Sequence, residues 1–104
     1  MKYFLTLLHN FLLSLFFKMG KHEKLILRIL SGTSDSTISF QDLCNLLIAF
    51  GFEHRQKGSH HLFRLEGIKE KINIQKDGKD AKPYQVKQVR NIILKYKLKG
   101  ESYE

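Results

Sequence analysis

The segment Gly58-Ser59-His60-His61-Leu62-Phe63-Arg64 combines a turn-forming glycine, two imidazoles and a guanidinium. An imidazole titrates near neutrality, so it can take or give a proton during a reaction. A neighbouring cation can stabilise negative charge that develops on a substrate. We interpret this segment as an active-site strand.

Side chains alternate between the two faces of a β-strand, and this alternation separates the two histidines. His61 and Phe63 share the more apolar face, which we expect to pack on helices, whereas His60, Leu62 and Arg64 face outward. His61 is therefore expected to be a structural histidine, whereas His60 is exposed and available to a ligand. Adjacent residues on a strand cannot readily bind one metal ion, so no metal site is predicted.

The flanking sequence predicts the elements that position this strand. Apolar residues at helical spacing predict helices from His22 to Leu30 and from Ser39 to Gly51, and Pro83 begins a last helix that ends near Tyr96. Strands are predicted at 52–56, 60–65 and 71–75, and a charged loop at 76–82. The fold class is therefore α+β, a double-stranded-RNA-binding-domain-like α-β-β-β-α order with a three-stranded antiparallel sheet and an additional N-terminal helix.

Ten of residues 1–18 are Phe or Leu, and this segment differs in composition from the rest of the chain. A tilted or interfacial membrane helix fits them in part, and a signal peptide would need a cleavage site that is absent. We expect upstream sequence translated from a misplaced start, with the protein proper beginning at Met19. The predicted division is an apolar extension, 1–18, and a single domain, 19–104, with its core at 39–98. A chain starting at Met19 is expected to be cytoplasmic, without stable membrane association, and the lone Cys44 to be a reduced core thiol.

The net charge of +8 is concentrated near the C-terminus, since residues 69–99 hold ten Lys and Arg against three Asp and Glu. If these charges share one solvated face of the folded domain, that face attracts polyanions, above all the phosphate backbone of a nucleic acid. A lysine-rich surface that serves solubility alone is the alternative.

Three groups of residues complete a specific resemblance: Gly51-Phe52 after the first core helix, the run from Arg55 to Arg64, and Lys79 with Lys82-Pro83 before the last helix. Residues 21–98 resemble the HicA family of mRNA interferase toxins from type II toxin–antitoxin systems. The resemblance implies an endoribonuclease that cleaves mRNA without a metal or other cofactor, an essential histidine at His60, and neutralisation by a HicB-type antitoxin. Residues 1–38 are extra relative to many members, and Lys76-Asp77 stands where many carry a second histidine.

The structure of RNA is compatible with cleavage by a single histidine without a metal ion. RNA supplies its own nucleophile, the 2′-hydroxyl, so cleavage needs a base, an acid and positive charge at the transition state. His60 would exchange the protons. RNA contacts are expected from Lys57, Gly58, Ser59, Arg64, Lys71, Lys79, Lys82, Lys87 and Arg90. Two other functions stay open: a non-catalytic RNA-binding module, and an interaction protein anchored at a membrane by residues 1–18.

Overall fold

Four α-helices and two small antiparallel sheets make up the part of the chain that the computed structural model describes, residues 2–99. Residues 100–104, which the sequence analysis assigns to the end of the domain, lie outside the described residues. The helices are α1 (Lys2–Lys18), α2 (Lys21–Ser31), α3 (Phe40–Ala49) and α4 (Pro83–Tyr96), with a 3-10 turn at Asp35–Thr37. The strands are β1 (Glu53–Lys57), β2 (His60–Arg64), β3 (Ile72–Ile74), β4 (Lys76–Asp77) and β5 (Asp80–Ala81).

The main sheet has the strand order β1-β2-β3, with both pairs antiparallel. The predicted α+β fold, with its three-stranded meander between two helices, is confirmed. The predicted additional helix is α2, which contributes Leu25 and Ile29 to the core. Because β2 is hydrogen-bonded on both sides, its register is fixed by two neighbours, and this strand carries the candidate catalytic residue.

The helix ends follow from local chemistry. Ser39, where the predicted helix begins, is the N-cap of α3, and its hydroxyl accepts a hydrogen bond from the Asp42 amide at 3.2 Å. Gly32 ends α2 in the left-handed conformation with φ of 70°, and its amide donates to the Ile29 carbonyl. Pro83 occupies the first turn of α4, where its missing amide proton leaves no hydrogen bond unmade.

One face of the main sheet is covered by the helices. Phe63, Ile72 and Ile74 on this face are fully buried. They meet apolar side chains from α2, α3 and α4 in one continuous core. Gln85 is the polar member of this interior: its side-chain oxygen accepts from the Gln75 amide at 2.7 Å, which satisfies a backbone donor just beyond β3.

The predicted loop at 76–82 is wrong in part, because these residues form the hairpin β4–β5. Gly78 turns the chain with φ of 65°. The hairpin also bonds to the segment before α3: the Phe40 amide donates to the Lys79 carbonyl at 3.1 Å, and the Ala81 amide donates to the Ile38 carbonyl at 2.9 Å. Two-residue strands are too short to show an alternating pattern, so the periodicity that located β1 to β3 could not locate them.

Helix α1 lies apart from this core, and its side chains from Tyr3 to Lys18 are exposed. Its side-chain contacts with the rest of the domain include Lys24, whose ammonium lies 5.1 Å from the Phe16 ring centroid. Among residues 2–99, no single helix is long and apolar enough to cross a membrane, although α1 and α2 pass that test together as a pair bent by 120°. The division of the chain at Met19 stays a prediction.

Candidate active site

The outer face of the main sheet, opposite the helices, presents His60. We use the name outer face for the side chains of Glu53, Arg55, Lys57, His60, Leu62, Arg64, Lys71 and Asn73. His60 and Arg64 are exposed on it, whereas Phe63 is fully buried and His61 is half-buried on the other face. The predicted separation of the two histidines is confirmed, since the strand alternates as expected.

A two-residue turn places Lys57 beside His60. Lys57 and His60 are directly paired across β1 and β2, with Gly58 and Ser59 as the connecting loop. Gly58 has φ of 60° and Ser59 does not have a positive φ, which is the type II′ pattern that favours glycine at the first loop position. Directly paired residues project to the same face with their Cβ atoms about 5 Å apart. An ammonium and an imidazole thus share the end of the sheet.

Asn73 holds the His60 ring from the neighbouring strand. The His60 Nδ1 atom lies 3.0 Å from the Asn73 Nδ2 atom and 3.2 Å from its Oδ1 atom. Nδ1 can therefore accept a hydrogen bond from the amide N–H group or donate one to the amide oxygen. Within residues 2–99, no hydrogen bond engages Nε2 of His60, so this atom is open to a ligand.

A cavity of about 290 Å³ continues the outer face beyond His60. It is lined by Glu53, Arg55, Leu62, Arg64 and Lys71. Two of these, Arg64 and Lys71, were predicted to contact RNA, but Arg55 was not singled out. The signal for Arg55 was present in the alternation of β1, because Arg55 and Lys57 are two residues apart and share a face.

The other predicted RNA-contacting residues belong to different elements. Lys79 lies in the β4–β5 turn, Lys82 precedes α4 and is half-buried, and Lys87 is exposed on α4. The structure thus separates the predicted RNA contacts into a group on the sheet, around His60, and a group on the hairpin and α4.

The expectation that Arg90 is available to solvent or a ligand is wrong. Its guanidinium donates to the Asp35 carboxylate at 2.8 Å and to the Ile29 carbonyl at 3.1 Å. Only 15% of the side chain is exposed. Arg90 therefore joins α4 to the end of α2 and the 3-10 turn after it, which gives it a structural role that helical periodicity could not reveal.

His54 forms a ring cluster with His61. Nε2 of His54 lies 2.9 Å from Nδ1 of His61, and the His54 ring stacks on Phe63 with 4.6 Å between centroids. Phe40 from α3 meets the edge of His61 at 4.8 Å. Burial, His54 and Lys76 each lower the pKa of His61. This cluster lies on the helix-covered face, opposite His60.

The lowered pKa of His61, which is caused first by burial and then by His54, predicts a loss of stability in mild acid. The pKa of His61 is lowered in the folded chain, so the unfolded chain binds the proton more readily. The free energy of unfolding should therefore be steady above about pH 6.5 and fall as the pH drops below it. Urea unfolding at pH 7.5 and 5.5 tests this, and His61→Leu should show a smaller difference between the two.

The acid dependence of Glu70 lies in a lower pH range and does not confuse this comparison. Hydrogen bonds from Tyr96 and then from Lys95 lower the pKa of Glu70 to about 2. Its contribution is thus lost only as the pH falls from about 4.5 toward 2. An equal fall in stability for the unsubstituted chain and His61→Leu between pH 7.5 and 5.5 would contradict the assignment to His61.

Cys44 is buried in the core, as predicted. Burial raises the pKa of its thiol to about 11, with a smaller opposing effect of Lys76. The thiolate that a nucleophilic cysteine requires is therefore disfavoured.

Within residues 2–99, no three His, Cys, Asp or Glu side chains are grouped so that they could hold a metal ion.

Comparison with known proteins supplies the family. No curated protein and no solved structure matches the chain significantly. The family described as "HicA toxin of bacterial toxin-antitoxin" matches residues 40–96, which begin at α3, include the whole outer face and end with α4. The match covers more than half of the chain, and the chain belongs to the HicA family of bacterial toxin–antitoxin toxins.

Proposed function

We propose that this HicA-family chain is an endoribonuclease that cleaves mRNA without a metal ion, with His60 as its one essential histidine. The observation that carries the proposal is the His60 imidazole itself: it is exposed on the outer face, held at Nδ1 by Asn73 and open at Nε2. Lys57 lies beside it, and Arg64 and Lys71 lie on the same face.

The reaction has two proton transfers. Nε2 of His60 removes the proton from the 2′-hydroxyl, whose oxygen attacks the adjacent phosphorus. As the P–O5′ bond breaks, the leaving 5′-oxygen takes up a proton, which the protonated imidazole can return. The products are a 2′,3′-cyclic phosphate and a 5′-hydroxyl. Lys57, directly opposite His60, stabilises the extra negative charge on the phosphate oxygens.

Asn73 is a positioning residue for both steps. While Nε2 acts as a base, Nδ1 must carry the ring proton, which it donates to the Asn73 oxygen. After proton transfer both ring nitrogens carry protons, and the same hydrogen bond is kept. An amide is neutral and therefore orients the ring without favouring the charged imidazolium, as a carboxylate would.

Substitution of Asn73 is expected to change the pH dependence of cleavage as well as its rate. Asn73→Asp places a carboxylate against Nδ1 and should move the acidic limb of the pH profile of kcat/KM to higher pH. Asn73→Leu removes the hydrogen bond and should lower kcat by roughly 10-fold or more, because the ring is no longer oriented. Rates measured from pH 5 to 9 provide the test. If Asn73→Asp lowers the rate without moving the limb, Asn73 does not act through His60.

The activity is tested directly with purified protein and a defined RNA in EDTA. We expect cleavage to persist and to yield the two product ends named above. The same RNA with a 2′-O-methyl group at the cleaved nucleotide should stay intact, because its nucleophile is blocked. Intact RNA in the first experiment, or cleavage of the methylated RNA, would refute this mechanism.

A toxin of this family implies an antitoxin partner. We propose a HicB-type antitoxin that covers the outer face and so prevents RNA from reaching His60. A neighbouring reading frame for such a protein, its co-purification with this chain and relief of growth inhibition on co-expression would support the pairing. The proposed substrate, mRNA, places both proteins in the cytoplasm.

A further inference from the structure

The cavity on the outer face holds cations that form no ion pair with the acidic side chains of residues 2–99. Arg55, Arg64 and Lys71 line it together with a single carboxylate, that of Glu53. Glu53 lies directly opposite Arg64 in the register of β1 and β2, but no ion pair joins the two side chains. The ion pairs within residues 2–99 join Lys21 to Asp42, Arg90 to Asp35 and Lys95 to Glu70, and none of them includes a cavity residue.

Three cations around one cavity favour an anionic ligand. They repel one another, and an anion bound between them would relieve that repulsion. Two of the three are arginines, whose planar guanidinium groups can bind two phosphate oxygens at once. The volume of about 290 Å³ is near the lower end of the usual range for small-ligand sites. A group of the size of a nucleotide is therefore suited to it.

The position of the cavity relative to His60 indicates which nucleotide it receives. His60, Leu62 and Arg64 occupy every second position of β2 and share one face. The rise of a strand puts the Cα atoms of His60 and Arg64 about 13 Å apart. This is longer than the step between neighbouring phosphates of a nucleic-acid strand. A phosphate at Arg64 is therefore not the one that is cleaved at His60, but one farther along the same RNA.

Leu62 supplies an apolar surface between the two positions. It is half-buried, it lines the cavity and it is paired with Asn73, the residue that holds His60. A ribose or base can pack on such a surface without a sequence-specific hydrogen bond.

We propose that this cavity is a subsite for a nucleotide that flanks the cleaved bond, with Arg55, Arg64 and Lys71 binding its phosphate and Leu62 contacting its sugar or base. The inference rests on the proposed ribonuclease activity and extends it to the length of RNA that the site requires. A nucleotide bound in the subsite holds the RNA along β2 and so presents the 2′-hydroxyl to His60. The cavity therefore contributes to substrate binding and not to proton transfer.

The test compares a long and a short substrate around one cleavage position. A cleavage position is first mapped in a defined RNA with the unsubstituted chain, and a hexanucleotide and a dinucleotide containing that step are then made. Arg55→Gln and Arg64→Gln should each lower kcat/KM for the hexanucleotide roughly 10- to 100-fold, mainly through KM, and change the dinucleotide rate less than about 3-fold. Arg28→Gln removes one positive charge on α2, away from the sheet, and should affect neither substrate.

Equal losses with both substrates would overturn the subsite, because the residues would then act at the cleaved bond itself. Unchanged rates with both would overturn it as well. A binding measurement separates these results from the fate of the proposed function. In a His60→Ala background, fluorescence anisotropy with the hexanucleotide should show about 10-fold weaker binding for Arg55→Gln and a shallower dependence on salt.

The two hypotheses can fail independently. If the unsubstituted chain cleaves no RNA, the ribonuclease proposal fails, and anisotropy with hexanucleotides taken from successive parts of the same RNA decides whether the cavity binds RNA. If the chain cleaves RNA but Arg55→Gln binds the hexanucleotide as tightly as the control does, the ribonuclease proposal stands and the subsite is refuted.

Discussion

Replacement of His60 by alanine should reduce the rate of RNA cleavage by roughly 10³-fold or more, since a positioned acid or base typically contributes about 10²- to 10⁴-fold and His60 is proposed to serve as both. Binding of RNA should change little, because the cations of the outer face remain. Expression of the variant should no longer inhibit growth. Initial rates on a defined RNA, together with anisotropy on the same sequence, measure the two effects separately.

The matched control for His60→Ala is His22→Ala, which removes an imidazole from α2 and leaves the sheet unchanged. It should cleave RNA at the rate of the unsubstituted chain. Cleavage and toxicity that survive in His60→Ala would refute the assignment of the catalytic residue. Loss of RNA binding in that variant would favour a binding module in which His60 contacts RNA without catalysing its cleavage.

The part of the fold that could be predicted from the sequence is the part with a regular pattern. Apolar spacing located α2, α3 and α4, and the capping residues Ser39, Gly32 and Pro83 set their ends to within a few residues. The period of two along 60–64 separated His60 from His61, and this separation defines the site. Alternation depends only on the residues of one strand, so a single sequence is enough to read it.

Features that depend on two distant segments could not be predicted. The Arg90–Asp35 ion pair joins residues 55 positions apart, and Asp35 stands in a polar linker without periodicity. The contact of His54 with His61 depends on the register of β1 against β2, and that of Asn73 with His60 on the register of β2 against β3. The register of two strands is set by packing and turn geometry together, so these side-chain contacts are known only from the structure.

The orientation of Arg55 could be predicted from the sequence, but its contribution to the cavity could not. Its place on the outer face followed from the alternation of β1, but its importance depends on the cavity that it forms with Arg64 and Lys71 from the other two strands. Charge along the sequence drew attention to residues 69–99, which supply Lys71 to the cavity but also include Arg90, which forms an ion pair with Asp35. The proposed RNA site therefore rests on the arrangement of cations in space and not on their density along the chain.

The same alternation that exposes His60 makes Phe63 the most sensitive position of β2. Phe63 is fully buried, it is paired with Ile72 of β3, and its ring supports the stacked ring of His54. Phe63→Ala should lower the free energy of unfolding by roughly 3–5 kcal/mol through lost burial and the cavity that it leaves. Because small domains have only about 5–15 kcal/mol in total, much of the variant should be unfolded at moderate urea concentrations.

Two further variants connect this prediction to the active site. Phe63→Leu keeps most of the apolar volume and should cost less than about 1.5 kcal/mol, while Arg64→Ala, on the exposed face of the same strand, should change stability by about 0.5 kcal/mol or less. Urea unfolding of all three variants gives the comparison. A loss below about 1 kcal/mol for Phe63→Ala would mean that β2 is not held by this side chain. Since β2 carries His60 on its other face, Phe63→Leu should retain cleavage per folded molecule, whereas Phe63→Ala should lose activity in proportion to its unfolded fraction.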